Sequence, residues 1–153
     1  MLNLLCKANI FGVDMSEKVL SSSLEDYLEC VYNRINLNGS VKAIEISKEL
    51  NVSRASVTEA LNKLAQKKYI NYGRYEMISI TDLGKEKAKE IINKHNVIQS
   101  FFENVLGIEK EEAAKTACCI EHIITENILE KLAAFNTFCN NESGLIEKFR
   151  QLG

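Results

Sequence analysis

Proline is absent from this 153-residue chain, and glycine occurs only seven times. Both residues interrupt helices, so their scarcity favours a mostly helical protein. No apolar run approaches the length needed to cross a bilayer, which predicts that the chain has no membrane partner. A chain of this length can bury a substantial core, as one domain or as two small ones.

A large net charge is also missing, since the formal value is −2. The distribution is nevertheless uneven: residues 40–90 carry ten Lys and Arg against seven Asp and Glu. Residues 1–39 carry three against five, and residues 91–153 carry six against nine. A basic middle between acidic flanks is typical of a DNA-binding segment joined to one that binds cations or assembles.

Cysteine follows no regular pattern. The five cysteines are Cys6, Cys30, Cys118, Cys119 and Cys139. An odd number at irregular spacing argues against a disulfide scaffold and predicts reduced thiols in a cytoplasmic protein. The first fourteen residues are mildly apolar but lack the basic start of a signal peptide. We therefore expect residues 1–20 to be an N-terminal extension, whose first fourteen residues are either disordered or added by a misplaced start codon ahead of Met15.

The first half of the chain shows helical periodicity followed by alternation. Apolar residues recur at helical spacing over Leu24–Asn36, Ser40–Leu50 and Arg54–Lys67. Two segments, Tyr69–Tyr72 and Met77–Thr81, then alternate like the strands of a hairpin. Three helices followed by a hairpin predict a winged helix-turn-helix domain over residues 21–85.

The second half is predicted to be entirely helical. Its helices are expected over Asp82–Leu106, Glu111–Leu129 and approximately Leu132–Asn140. We assign residues 86–145 to an all-helical dimerisation and metal-binding domain, and residues 146–153 to a tail. The predicted fold class is therefore mostly α, with an N-terminal winged helix-turn-helix domain and a C-terminal helical domain.

The third predicted helix has the features of a helix that reads DNA. Such a helix enters the major groove by its N-terminal part, where short or polar side chains approach the base edges. The candidates there are Ser53, Arg54, Ala55, Ser56, Thr58 and Glu59. Contacts to phosphates are expected from Lys63, Lys67 and Lys68, and from Arg74 at the tip of the wing. Glu59 either accepts a hydrogen bond from a cytosine amine or pairs with Lys63, four residues later.

Both histidines of the chain fall where a metal site would use them. In the run Cys118-Cys119-Ile120-Glu121-His122, a helix places a thiol, a carboxylate and an imidazole on one face, at positions 118, 121 and 122. Asp26 and Glu29 share a face of the first helix, and His95 lies on the long helix. Each feature alone has an ordinary explanation, as a solvated acid pair or a packed side chain. Cys119 points about 100° away from its neighbour and is expected to pack.

Together these segments resemble the diphtheria-toxin-repressor family of metal-dependent regulators, including its manganese-transport-regulator branch. The resemblance spans roughly residues 20–140, and its segments occur in order at the family's spacing. They are Leu24-Glu25-Asp26-Tyr27-Leu28-Glu29, Ser53-Arg54-Ala55-Ser56-Val57-Thr58, Ile80-Thr81-Asp82-Leu83-Gly84, Lys94-His95 and Cys118-Cys119-Ile120-Glu121-His122. The resemblance implies a homodimer that metal activates to bind DNA and to repress genes of metal uptake or storage.

The resemblance also implies a ligand set: Asp26, Glu29, His95, Cys118, Glu121 and His122. Asp26 and Glu29 match the manganese-type members, whereas Cys118 matches the iron-type members. Gln99 and Ala114 stand where iron-type members need further ligands, which argues against their ancillary site. We also expect the SH3-like domain of longer members to be missing. A thiolate favours Fe²⁺ as the cofactor, with Mn²⁺ second and with Co²⁺, Ni²⁺ or Zn²⁺ able to bind in vitro.

The predicted function is therefore a metal-activated repressor of metal homeostasis. Ligands from three elements would clamp the DNA-binding domain to the dimer domain and set the spacing of two recognition helices on a palindromic operator. The alternatives are a metal-independent winged-helix regulator, a redox sensor that uses Cys118 and Cys119, and a metalloenzyme. No protease or deaminase signature supports an enzyme, so we expect none.

Overall fold

The computed structural model describes residues 20–73, 77–142 and 144–151. Across these ranges the chain is mostly helical and has one small sheet. The described residues up to Ile92 form one compact unit, and those from Asn93 onward form another. Among the described helices, none combines the length and the apolar character that a membrane crossing requires.

The N-terminal unit has the predicted winged helix-turn-helix architecture. Its elements are α1 (Ser22–Asn38), α2 (Ala43–Glu49), α3 (Arg54–Gln66), β1 (Ile70–Asn71), β2 (Ser79–Ile80) and the first turns of α4 (Asp82–Ser100). The strands pair antiparallel, with Ile70 opposite Ile80 and Asn71 opposite Ser79. Each strand is two residues long, shorter than predicted, because alternation of side chains continues beyond the backbone pairing.

Local capping explains where the helices of this unit begin and end. The Ser21 side chain accepts a hydrogen bond from the Leu24 amide, and Gly39, at φ 74°, ends α1 in the left-handed region. The Thr81 hydroxyl accepts from the Gly84 amide at 3.0 Å, which starts α4. A Cβ at Gly84 would collide with the carbonyl oxygen of Tyr69, so only glycine lets α4 start this close to the wing.

The core of the N-terminal unit lies between α1, α2 and α3. Its fully buried side chains are Leu28, Val31, Ile46, Val57, Leu61 and Leu64. Burial of an aliphatic side chain of this size stabilises the fold by about 1.5–3 kcal/mol. The recognition helix α3 is therefore anchored directly on α1.

The C-terminal unit is helical, as predicted, but the predicted end of one helix and the predicted start of the next were wrong. It contains the end of α4, a π-helical segment (Phe101–Val105), α5 (Lys110–Ile120), α6 (Glu126–Asn141) and α7 (Leu145–Arg150). The helix expected over 111–129 is two helices, because Thr125 adopts an extended conformation (φ −79°, ψ 153°) at the N-cap of α6. Ile123, in the connection, is 76% exposed. The last helix, α7, occupies much of the segment assigned above to a tail.

The core of the C-terminal unit is smaller. Ile98, Ala117 and Leu129 are buried at its centre, one from each of α4, α5 and α6. The Asn136 side-chain amide donates a hydrogen bond to the carbonyl oxygen of Val97 at 2.9 Å, which joins α6 to α4. These contacts set the relative placement of α4 and α5, on which the candidate ligands lie.

Candidate metal centre and nucleic-acid interface

The recognition helix α3 presents the predicted DNA-reading residues on its outer side. Its inner side is buried through Val57, Ala60, Leu61 and Leu64. The exposed residues are Ser53, Arg54, Ala55, Ser56, Thr58, Glu59 and Lys63. Lys67 and Lys68 are exposed just after the helix. Arg74, predicted at the wing tip, lies outside the described residues.

Two hydrogen bonds order the start of α3. The Ser53 hydroxyl oxygen accepts from the Ser56 amide at 3.1 Å, and the Thr58 hydroxyl donates to the carbonyl of Arg54 at 3.0 Å. An ordered N-terminal turn leaves its exposed amides and short side chains positioned to meet a phosphate or a base edge. Capping of the helix by Ser53 is therefore compatible with a DNA-contacting role.

Glu59 pairs with Lys63 on the same exposed face. The Lys63 Nζ lies 2.6 Å from Glu59 Oε1, and this hydrogen bond, together with the lysine charge, lowers the pKa of the Glu59 carboxyl below its usual value. Of the two predicted roles, pairing with Lys63 is the one seen in the free protein. Both side chains are more than half exposed, so the pair contributes little stability.

Three of the candidate metal ligands lie together in the C-terminal unit. Cys118 is in the last turn of α5, Glu121 caps the helix, and His122 follows on a turn. The Ile124 amide still bonds to the carbonyl of Ile120 at 3.0 Å, so the chain keeps a helical course past the end of α5. One thiol sulfur, one carboxylate oxygen and one imidazole nitrogen of Cys118, Glu121 and His122 lie within 4.8 Å of one another.

Glu121 is the most unusual of these residues. It is 3% exposed, and its Oε1 has no hydrogen-bond partner among the described residues. That oxygen lies 3.5 Å from His122 Nε2. A buried polar atom without a partner costs about 1–3 kcal/mol. The local fold therefore holds a carboxylate oxygen in a position that a cation would satisfy.

The donor set also fits a metal ion. Thiolate, carboxylate and imidazole are the usual protein donors to transition metals. Donors that share one ion bind it at about 2.0–2.3 Å, so they are separated by at most about twice that distance. The spacing of Cys118, Glu121 and His122 is close to that limit. A small movement of these side chains is sufficient to place all three on one ion.

His95, on α4, contacts this group through Glu121. Its Nδ1 lies 2.7 Å from Glu121 Oε2, and its Nε2 lies 3.1 Å from Gln99 Oε1. The Gln99 amide in turn donates to Glu103 Oε2 at 3.3 Å. His95, Gln99 and Glu103 are thus spaced one helical turn apart and are connected by hydrogen bonds. These bonds orient the imidazole of His95 toward Glu121. In the sequence, Gln99 was noted only because it differs from the ligand of iron-type members. The signal for this arrangement was the spacing of four residues between positions 95, 99 and 103, which places the three side chains on one side of the helix.

Asp26 and Glu29 lie on α1 in the N-terminal unit, and both are half-buried. Tyr27, between them in sequence, is buried against the core. Burial raises the pKa of the Tyr27 hydroxyl, and the charges of Asp26 and Glu59 raise it further. Since Glu59 belongs to α3, charges on both α1 and α3 raise the pKa of Tyr27. Asp26 is therefore on a helix that is directly packed on the recognition helix.

The cysteines differ in exposure. Cys118 is half-buried, whereas Cys119 is exposed, so the expectation that Cys119 packs in the core was wrong. The cause is that Cys119 lies on the side of the last turn of α5 that faces solvent. Cys30, Cys118, Cys119 and Cys139 are all free thiols.

Family comparisons cover most of the chain. Residues 19–78 match the N-terminal DNA-binding domain of iron-dependent repressors. Residues 81–143 match the metal-binding and dimerisation domain of the same repressors. The two matched segments contain every candidate metal ligand and every candidate DNA-reading residue named above.

Individual relatives carry regulator names. The chain is 39% identical over 117 residues to an HTH-type transcriptional regulator of Methanocaldococcus jannaschii, covering 76% of this chain and 94% of that protein. It is 25% identical over 130 residues to the HTH-type transcriptional regulator MntR of Oceanobacillus iheyensis, covering 85% of this chain and 88% of MntR.

Solved structures show the same architecture. IdeR of T. acidophilum superimposes with a TM-score of 0.66 at 26% identity, covering 78% of this chain and 55% of IdeR. A hypothetical protein of Sulfolobus solfataricus superimposes with a TM-score of 0.60 at 28% identity, covering 76% of this chain and 88% of that protein. The match to IdeR thus spans only about half of the longer regulator.

Proposed function

This chain belongs to the iron-dependent repressor family of metal-dependent transcriptional regulators, and we propose that it represses metal-homeostasis genes when a divalent cation activates it for operator binding. The observation that carries the proposal is the buried Glu121 carboxylate beside Cys118 and His122, with one oxygen left without a hydrogen-bond partner. No catalytic role is assigned, because the family consists of regulators rather than enzymes.

The proposed ligands come from three elements. Cys118, Glu121 and His122 hold the cation from the end of α5, Asp26 and Glu29 join them from α1, and His95 of α4 acts through its contact with Glu121 or as a ligand itself. A bound divalent cation supplies positive charge and shared coordination to these groups. Without it, the carboxylates and the thiolate repel one another, and α1 is free to shift. With it, α1 and the recognition helix packed on it are fixed to the C-terminal unit.

We further propose that the active form is a cytoplasmic homodimer on a palindromic operator. The exposed apolar side of α6 is the proposed dimer face: Ile128 is 55%, Phe135 46% and Phe138 52% exposed. Large apolar side chains in one patch are typical of a surface that another protein covers. Two fixed recognition helices then reach half-sites about one helical turn apart.

Fe²⁺ is the proposed physiological ion, with Mn²⁺ second, because the Cys118 thiolate favours ions softer or later than Mn²⁺. The test of this order is Cys118→Glu, which replaces the sulfur donor with a carboxylate. The variant should show a smaller preference for Fe²⁺ over Mn²⁺ in competition than the wild-type protein does. A wild-type protein that already prefers Mn²⁺ would contradict the assignment of Cys118 as a sulfur ligand.

Operator binding tests the function as a whole. Operators are selected from a random duplex pool with and without metal, and affinity is then measured anaerobically by fluorescence anisotropy with Fe²⁺, with Mn²⁺ and with a chelator. We expect metal to tighten binding by about 5–150-fold, the usual range of an allosteric coupling. His122→Ala should abolish this response, and Glu130→Gln, at an exposed position of α6, should preserve it. Equal affinity with chelator and metal would identify a metal-independent regulator instead.

A further inference from the structure

A second buried carboxylate lies in the N-terminal unit. Glu25, on α1, is 8% exposed, and its Oε1 lies 3.2 Å from the Nζ of Lys87 on α4. The two side chains are 11% and 19% exposed, so the ion pair is largely shielded from water. Lys87 also contacts Glu90 of its own helix at 3.1 Å. The Glu25–Lys87 pair therefore joins α1 to α4 within a single compact unit.

Stability alone gives no reason for a buried ion pair at this place. Removing two charges from water costs about as much as their attraction returns, and an apolar pair of similar volume is often as stable or more so. The helix α1 is already anchored by Leu28 and Val31, both fully buried. What an ion pair adds to such packing is a fixed contact point, because a shift of either helix would break a charge–charge contact that is largely shielded from water.

The location of the pair connects it to the proposed metal site. Glu25 is adjacent in sequence to Asp26 and lies one turn before Glu29, both proposed ligands. Lys87 lies on the same helix as His95, about two turns earlier. The helix α4 thus carries an ion pair to α1 in its first half and the contact to Glu121 in its second half.

We propose that the Glu25–Lys87 pair is a positioning element that transmits metal binding from α1 to the whole DNA-binding unit. This inference rests on the proposed function. When Asp26 and Glu29 are drawn to the cation, the pair makes α1 and α4 move together, and α3 moves with them through its packing on α1. Without the pair, α1 and the packed α3 shift relative to α4, so metal is still bound but the recognition helices are not held in a fixed position.

The test measures metal affinity and DNA affinity separately in the full-length protein. The variants are Glu25→Gln, which is nearly isosteric, and Lys87→Met, which keeps the length of the side chain. Mn²⁺ affinity is obtained by competition with a fluorescent chelator, and operator affinity by anisotropy with and without Mn²⁺. We expect Mn²⁺ affinity to stay within about threefold of wild type while the metal-induced gain in operator affinity falls by about two- to thirtyfold.

Two further variants make the result specific. Lys85→Gln breaks the exposed Lys85–Asp82 pair on the same helix and removes the same charge, and it should leave the gain unchanged. The charge-reversed double variant Glu25→Lys/Lys87→Glu should recover part of the gain that either reversal alone removes. If Lys87→Met lowers Tm so far that binding is lost, Glu25→Gln and the double variant give the answer.

The outcomes separate the two proposals. If the wild-type protein responds to metal and the variants show the same metal-induced gain in operator affinity, the positioning role is overturned. An equal loss of operator affinity with and without Mn²⁺ also overturns it, because it indicates a purely structural pair. A wild-type protein whose operator affinity ignores metal overturns the proposed function and this inference with it.

Discussion

Replacing Glu121 by glutamine removes the charge of the central candidate ligand with almost no change in shape. Glu121 is 3% exposed and contacts His95 and His122 through its two oxygens, so the substitution acts at the buried centre of the candidate site. Loss of an outer-shell partner of a metal site weakens binding by about 10–100-fold, and loss of a direct ligand is expected to reach at least the upper value.

The expected size of the effect follows from ligand linkage. At a metal concentration of about 100 times Kd, binding stabilises the native wild-type protein by about 2.7 kcal/mol. If Kd rises by about 100-fold, the same concentration stabilises the variant by only about 0.4 kcal/mol. For a chain of this length, 1 kcal/mol shifts Tm by about 2–4 °C, so the metal-induced rise in Tm should shrink by about 5–9 °C.

Differential scanning fluorimetry under anaerobic conditions, with Mn²⁺ and with chelator, measures this change. Glu130→Gln on the exposed side of α6 makes the same chemical change away from the site and should keep the wild-type rise in Tm. A Glu121→Gln protein with the same metal-induced rise as wild type would refute the reasoning that places the cation at this carboxylate.

Three other predictions concern surfaces and thiols. Phe135→Glu, in the proposed dimer face, should convert the dimer to a monomer, as measured by sedimentation velocity. Leu37→Glu, at a 79% exposed position of α1, should leave the dimer intact. If the Phe135→Glu protein is still a dimer, the interface lies elsewhere. Alkylation of the native protein with iodoacetamide at mildly alkaline pH should label the exposed Cys119 quickly and spare Cys30. Burial and then the nearby Glu49 carboxylate raise the pKa of the Cys30 thiol to about 12, which keeps the thiol protonated. Equal labelling of the two cysteines would contradict the described packing of α1. Glu59→Gln removes a negative charge from the exposed face of α3, so it should strengthen binding to non-operator duplexes at low salt. This gain in affinity should decrease as the salt concentration rises. Weaker binding at all salt concentrations would indicate that Glu59 contacts DNA directly.

The sequence predicted the N-terminal unit well because its boundaries are encoded locally. Ser53 caps α3, and Gly39 ends α1 in a left-handed conformation, so these signals do not depend on distant residues. The wing was overestimated, since alternating side chains continue beyond the two residues of each strand that pair. The pattern shows which side chains face the core, but it does not show how far the backbone hydrogen bonds extend.

The end of α5 was missed because nothing in the apolar pattern interrupts there. Ile120 and Ile124 keep helical spacing across the break, and the chain holds no glycine or proline in this connection. The signal was Thr125 followed by Glu126, which stand at the N-cap and in the first turn of α6. It is weaker than the periodicity that runs through it.

The candidate ligands could be proposed from the sequence, but the state of Glu121 could not. Its burial depends on how α4 packs on α5, and the hydrogen bonds that connect His95 to Gln99 and Glu103 depend on side-chain conformations. These are tertiary properties that spacing along one helix does not determine. The Glu25–Lys87 pair is of the same kind, because it joins residues of two helices far apart in sequence.

Linkage between metal and DNA tests the central claim most directly. If metal activates operator binding, the operator must tighten metal binding by the same factor. Mn²⁺ affinity is therefore measured by isothermal titration calorimetry on the free protein and on the protein saturated with operator duplex. The account predicts that the duplex tightens Mn²⁺ binding by about 5–150-fold, equal to the metal-induced gain in operator affinity. An Mn²⁺ affinity that is the same with and without operator would contradict it.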